Sequence, residues 1–305
     1  MVSKVKEIVD FITKNNIGEY KENVSLTTKT TYKVGGPAKL FVYPKNQEKL
    51  IALLKELKSK KIKYKILGNG SNTLFSDKEY DGVIIKLDEF NKVTFFKNTV
   101  RAEAGVNLMK LSAQAVKKGL SGLEFASGIP GTIGGAIFMN AGAYKSDMGY
   151  ITKWVKVLTP KFEIIRMTNK ELDFHYRTSF LQKHNDYICL EASLELRQSN
   201  RELLQEIVED RRKRRVESQP LEFPSAGSVF RNPENMFAGK LIEDLGYKGY
   251  SIGGAKVSDK HANFIINYNN ATSQDIKDLI DFVREKVKKE YNVELKVEQE
   301  FVNWE

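Results

Sequence analysis

Two glycine-rich runs have the residue types and spacing to bring backbone close to a ligand. The first is ILGNGSNTLF, residues 66–75, with Gly68, Asn69, Gly70, Ser71 and Asn72 at its centre. The second is GIPGTIGGAIFMNAGAY, residues 128–144, which sets five glycines among Ile129, Ile133, Ile137, Phe138 and Met139. Successive N–H groups in a glycine turn form a concave donor cluster that suits phosphate oxygens. Glycine also lacks the Cβ that would hold a ligand away. Neither run is a P-loop, because no lysine follows the glycines at the required place. Neither is a dinucleotide fingerprint: the third glycine is missing, and no helix pattern follows residues 66–75. GNGSN can hold a diphosphate or make a hairpin turn. The longer run can line a flat, partly apolar ligand such as a nucleotide with an aromatic ring system, or pack as a turn under the core. Spacing leaves both open.

Other chemistries have weaker support. His175, His184 and His261 are scattered, with no Cys or carboxylate at ligand spacing, so no metal site is expected. Cys189, the only cysteine, lies in the apolar run YICLEASLEL and reads as a core thiol. One cysteine excludes an intramolecular disulfide framework, and the charged N-terminus MVSKVKEIVDFITKNN is no signal peptide, so the cytoplasm is expected. The net charge of +10 favours anionic partners. The basic run RRKRR, Arg211 to Arg215, closes a helical pattern, where cations suit the helix C-terminus. It lacks aromatic interleaving and any DNA-binding motif spacing, so it reads first as a solvated helix end, then as a ligand-phosphate contact, and last as a nucleic-acid patch. No apolar run is long enough to span a bilayer.

These residues must be positioned by a mixed set of elements. Residues 3–14 and 47–58 have helical periodicity, the second with Leu50, Leu53, Leu54 and Leu57 on one face. Strand patterns cover 39–44, 64–67, 82–87, 92–96 and 99–105. A helix over 107–119 closes on Gly119, a C-terminal cap. More strands come after it in ITKWVKVLT, FEIIRMT and YICLEASLEL. A charged helix over 201–215 marks a boundary near 200, before the proline-rich loop QPLEFPSAGSVFRNP. FAGKLIEDLG is a short helix. The last helix starts after Thr272 or Ser273 and carries the stripe Ile276, Leu279, Ile280, Val283, Val287. ELKVEQEFV alternates as a terminal strand. The irregular order of helices and strands predicts an α+β fold, not a doubly wound sheet.

In order along the chain, LGNGSN, GLEFASGIPGTIGGAIFMNAGAY, YRTSF, PSAGSVFRNP, AGKLIEDLG, IGGAKVSDKHANFIIN and the terminal LKVE resemble the UDP-N-acetylenolpyruvoylglucosamine reductase family. The resemblance runs from about residue 26 to 301 and is to the compact second type, which lacks an extra tyrosine-bearing loop. It implies a vanillyl-alcohol-oxidase/PCMH-type FAD-binding domain of two lobes plus a C-terminal α+β substrate-binding domain. The expected boundaries are 1–87 for the first lobe, joined by the terminal strand 296–305, then 88–200 for the second lobe and 201–295 for the substrate domain. FAD would be bound non-covalently and reduced by NADPH. The substrate would be the enolpyruvyl ether of a UDP-sugar.

By the same resemblance, Gly68, Asn69, Gly70, Ser71, Asn72, Gly128, Ile129, Pro130, Gly131, Gly134, Gly135, Asn140, Ala141 and Gly142 would line the cofactor. Ser228 matches the proton donor, Arg177 the arginine that stabilises the substrate carboxylate, and Glu298 the glutamate that orients the enol-like intermediate. A guanidinium fork suits planar carboxylate recognition. From the residues alone, Ser228 is a turn serine, Arg177 a strand-end arginine and Glu298 a charged strand residue. The family often reads L-x-x-E-V-R here, whereas Gln299 and Glu300 come after Glu298, so Glu300 competes for the role. Arg215, Asn232 and Lys240 are the expected substrate contacts. A monomer or weak dimer is expected, with no nucleic-acid or membrane partner. The alternatives are another FAD-dependent oxidoreductase of the same fold and, on charge alone, a nucleic-acid-binding protein.

Overall fold

The computed structural model describes residues 2–304. The leucine stripe becomes the helix Gln47–Ser59, with Leu50, Leu53, Leu54 and Leu57 buried. Asn46 starts it by accepting a bond from the Lys49 N–H. Each fully buried leucine contributes about 1.5–3 kcal/mol, so this face outweighs the modest propensity of a short helix. The helix Leu108–Lys117 is started the same way by Asn107, whose side chain accepts from the Lys110 N–H. Gly119 stands just beyond it at φ 68°, the left-handed backbone expected of a C-terminal cap.

One sheet has the strand order Gly18–Ser25, Pro37–Pro44, Tyr80–Ile85, Tyr64–Ile66, and the last two pair in parallel with Ile66 opposite Ile85. A second sheet is antiparallel, in the order Ile164–Thr168, Thr152–Leu158, Ile188–Glu195, Thr99–Glu103, Val93–Phe96. In Thr152–Leu158 buried positions outnumber solvent-facing ones, as a central strand covered on both faces requires.

Compactness divides the chain into two units with interleaved segments. The first runs up to Glu22 and adds Lys39–Asn69 and Asp81–Lys213. The second comprises Asn23–Ala38, Gly70–Tyr80 and everything from Arg214 on. Segments 23–38 and 70–80, grouped from sequence with the first region, thus belong by compactness with the C-terminal part. Each unit has its own core. Ile8, Leu40, Leu53, Val100, Leu111, Ile133, Val155 and Leu190 belong to the first. Tyr32, Leu74, Val229, Phe230, Ile276, Leu279 and Val283 belong to the second.

The second unit contains the helix Ser273–Tyr291, the three-stranded sheet Ser251–Ile252, Ala255–Val257, Ile265–Asn267, and the parallel pair Thr73–Phe75 with Glu300–Val302. Thr272 is the N-cap of that helix, in a reciprocal capping box with Asp275. Among the described residues no helix is long and apolar enough to cross a membrane. Nor does any group of three or more His, Cys, Asp or Glu among them stand where it could hold a metal.

Candidate active site

In the first unit the long glycine-rich run is not irregular throughout. Its centre, Ile133–Met139, is a helix started by Thr132, whose side chain accepts from the Gly135 N–H, and ended by Asn140 at φ 44°. Two adjacent glycines lower helix propensity by about 1 kcal/mol each, which hid the helix from periodicity. Burial of Ile133, Ala136 and Ile137 overrides that cost. Backbone bonds stitch the run to a neighbouring segment: Ile133 N–H to Val106 O at 2.9 Å, Gly134 N–H to Ala104 O at 2.8 Å, and Leu108 N–H to Gly131 O at 3.0 Å. Gly128 and Ile129 are half-buried and Pro130 is exposed ahead of it. After it, Ala141 N–H returns to Ala136 O at 2.8 Å, and Gly142 pairs opposite Asp147.

Arg177 is fastened to this segment. It sits at φ 54° in a turn closed by His175 N–H to Thr178 O and Thr178 N–H to His175 O, both 3.0 Å. Asn140 donates its amide to His175 O at 2.8 Å and accepts from Gly149 N–H at 2.9 Å. Ser179 Oγ donates to Phe138 O at 2.7 Å. The amide of Asn140 is thereby used inside the protein, aiming the turn that carries Arg177. Arg177 itself is half-buried, its guanidinium 5.3 Å from the ring of the exposed Tyr176. Also in this unit, the buried Lys86 donates to Gly68 O at 2.6 Å, so a cation lies against the carbonyl of the GNGSN run. Asn69 beside it is half-buried.

The second unit brings Ser228, Glu298 and Asn72 together. The segment Val229–Phe230 is held on one edge by Asn263, which accepts from Val229 N–H with its backbone oxygen (2.8 Å) and from Phe230 N–H with Oδ1 (2.9 Å). Asn263 also donates to Phe230 O at 2.8 Å. On the other edge runs the terminal segment: Glu298 N–H donates to Val229 O at 2.8 Å, and Arg231 N–H to Lys296 O at 2.9 Å. Asn72 Nδ2 donates to Glu298 O at 3.1 Å, and Asn72 O accepts from Glu300 N–H at 2.9 Å. Ser228 and Glu298 are both half-buried.

The rival carboxylate has other surroundings. Glu300 lies in the strand paired with Thr73–Phe75, and its charge adds to the burial that pushes the Tyr80 phenol up to about 12. Gly70 stands at φ 61°, and a Cβ there would lie 2.5 Å from Lys29 O. Its neighbour Ser71 is half-buried. The close approach that requires glycine at position 70 is therefore the chain's own backbone.

The expected substrate contacts do not gather in the same way. Asn232 accepts from Ala238 N–H at 3.1 Å, at the start of the helix Ala238–Asp244. Lys240 is exposed on that helix and paired with Asp244 one turn on. Arg215 is half-buried near the end of the helix Arg201–Ser218. Reasoning from sequence missed Tyr32, Lys86, Asn263 and Gln299, each of which touches one of the segments above.

The residues fit a flavin in one specific respect. Among the described residues, no atom beyond the chain neighbours of Gly131 lies within 4 Å of a Cβ built on it, whereas Gly134 is packed against Ala104 at 3.1 Å. One glycine of the run thus leaves an uncovered backbone position that packing does not require. The fold and these segments define an FAD-dependent oxidoreductase: residues 38–168 match the FAD binding domain. Residues 219–302 match the UDP-N-acetylenolpyruvoylglucosamine reductase C-terminal domain.

Curated relatives include the UDP-N-acetylenolpyruvoylglucosamine reductase of Caldanaerobacter subterraneus subsp. tengcongensis, 44% identical over 99% of this chain and 98% of its own. That of Anoxybacillus flavithermus is 44% identical over 94% of this chain and 95% of its own. Among solved structures, UDP-N-acetylenolpyruvylglucosamine reductase (MurB) from Thermus caldophilus superposes with a TM-score of 0.78 at 32% identity, covering 93% of this chain and 98% of that one. The chain belongs to the UDP-N-acetylenolpyruvoylglucosamine reductase family. The α+β class and the FAD-binding and C-terminal domains expected from sequence hold.

Proposed function

We propose that the chain reduces the enolpyruvyl ether of UDP-N-acetylglucosamine to UDP-N-acetylmuramate, a peptidoglycan precursor, with electrons from NADPH. The observation that carries this reading is the pair of domain matches, FAD binding over 38–168 and the substrate-named C-terminal domain over 219–302. When bound, FAD would supply the hydride chemistry, with NADPH as its reductant. The protein's own groups do the rest. The backbone of 128–142 would hold the cofactor, as would Gly68, Asn69, Gly70, Ser71 and Asn72. The Arg177 guanidinium holds the substrate carboxylate and stabilises the negative charge that builds toward it. Ser228 gives its hydroxyl proton to C2. A serine hydroxyl is a weak acid, so this step needs a strongly basic carbon and exclusion of water. Glu298 hydrogen-bonds the enol-like species. It is preferred to Glu300 because its backbone is bonded beside Ser228, at Val229 O.

We assign substrate binding to 201–295, with Arg215, Asn232 and Lys240 as its polar contacts. A cytoplasmic monomer or weak dimer without nucleic-acid or membrane partners accords with this chemistry, since the sugar nucleotide and NADPH are both dissolved anions. Within the basic run, the Arg211 guanidinium lies 4.9 Å from the Tyr144 ring, and Tyr144 donates to Arg211 O at 2.9 Å.

The test is rapid kinetics on Ser228→Ala. Flavin reduction by NADPH is expected to stay near wild type, while flavin reoxidation by the enolpyruvyl substrate falls about 10²–10⁴-fold. Equal loss in both halves would rule out a proton-donor role.

A further inference from the structure

Gln299 is a polar side chain at an apolar position. The terminal segment alternates, and its inward phase reads Leu295, Val297, Gln299, Phe301. Gln299 is only 5% exposed, and burying a primary amide without partners costs about 1–3 kcal/mol. The partners are specific. Nε2 lies 3.2 Å from Ala226 O and 3.4 Å from Gly227 O, and Oε1 lies 3.1 Å from the Tyr32 hydroxyl. Carbonyl oxygens only accept, so the NH₂ must face the 226–227 turn and the amide oxygen must face Tyr32, which donates. Tyr32 is fully buried and its phenol is pushed up by burial, so it keeps its proton at working pH. The polarity of the chain from Tyr32 through Gln299 to the turn is therefore fixed.

The turn leads directly into Ser228, with Gly227 at φ 75°. On the C-terminal side of Ser228, Val229 is held by both Asn263 and Glu298. On its N-terminal side, the carbonyls of Ala226 and Gly227 are held by the Gln299 amide. We propose that Gln299, oriented by Tyr32, is a positioning residue that fixes the 226–227 turn and so aims the Ser228 hydroxyl at the carbon it protonates. This rests on Ser228 being the proton donor.

The experiment is rapid kinetics on holoenzyme carrying Gln299→Leu, Tyr32→Phe, Ser228→Ala, and Gln299→Leu combined with Ser228→Ala. Misplacement of a reacting group by about 1 Å can cost about 10²-fold. Gln299→Leu is therefore expected to slow flavin reoxidation by the enolpyruvyl UDP-sugar by about 10–100-fold, with flavin reduction by NADPH changed less than about twofold. The solvent deuterium isotope effect on reoxidation should grow as proton transfer becomes limiting. Tyr32→Phe should slow the same half-reaction less. In the Ser228→Ala background, Gln299→Leu should add nothing, because residues acting through one another are non-additive. If Gln299→Leu does not accumulate as holoenzyme, Tyr32→Phe, which removes one hydroxyl, carries the same comparison alone and in the Ser228→Ala background. Full-speed reoxidation in the variants, or an undiminished further loss on top of Ser228→Ala, overturns the positioning role and leaves the proton donor in place. Wild-type reoxidation in Ser228→Ala itself would overturn both.

Discussion

Gly70 and Gly131 look alike in sequence and differ in what surrounds them. Position 70 combines φ 61° with a would-be Cβ contact of 2.5 Å to Lys29 O. Gly70→Ala is therefore expected to destabilise the protein itself, by about 1–3 kcal/mol, whether or not flavin is present. At position 131 no described atom beyond the chain neighbours lies within 4 Å of a Cβ. Gly131→Ala should leave apoprotein stability within about 0.5 kcal/mol and lower FAD affinity at least about tenfold. Denaturation of the apoprotein and flavin titration separate the two effects. Wild-type FAD affinity in Gly131→Ala would remove that residue from the cofactor site. From sequence alone these glycines could not be ranked, because what crowds Gly70 is the backbone of residues 29–30, about forty positions away. Gln299 did leave a readable signal, as the polar residue between Val297 and Phe301 in the alternating run Leu295, Val297, Gln299, Phe301, although the strand itself covers only Glu300–Val302. Its partners at 32 and 226–227 did not.

At the scale of elements, the segment carrying Ser228 depends on the 261–264 turn. Asn263 clamps Val229 and Phe230, and its own N–H donates to His261 Nδ1 at 3.2 Å. Burial holds the His261 imidazole below its ordinary value of 6.5, and the positive charge of Lys248 acts in the same direction. The folded state thus favours neutral His261, and below about pH 6.5 the unfolded chain takes up the proton first. This contribution is full above the unfolded value and is lost as pH falls through the folded one. The unfolding midpoint should drop more steeply between pH 7 and 5 in wild type than in His261→Phe; parallel profiles would sink the assignment. The helices Gln47–Ser59 and Ser273–Tyr291 were legible because repeated apolar positions and their caps act locally. The helix Ile133–Met139 was not, because its stability comes from tertiary burial against poor propensity. The short strands Ser251–Ile252 and Ile265–Asn267 were not either, being too brief for any period to show.

At the scale of the whole molecule, the two cores share none of the described residues, and the second gathers segments from 23–38, 70–80 and the C-terminal part. Contiguity in sequence is a poor guide to such a division, since the contacts that join these segments are long-range. A ligand that binds only the native state stabilises it by RT ln(1 + [L]/Kd), about 2.7 kcal/mol at a hundred times Kd. Stripping FAD should therefore lower the unfolding midpoint by several degrees, and re-addition should restore it. Amide exchange shows where the stabilisation acts. Backbone protection should fall over 128–142, the segment we propose holds the cofactor. It should be retained along Ser273–Tyr291, where Ile276, Leu279, Ile280, Val283 and Val287 are buried in a core of their own. Loss of protection in that helix equal to the loss over 128–142 would mean that the cofactor acts on global folding, and would remove the glycine-rich segment as its specific seat.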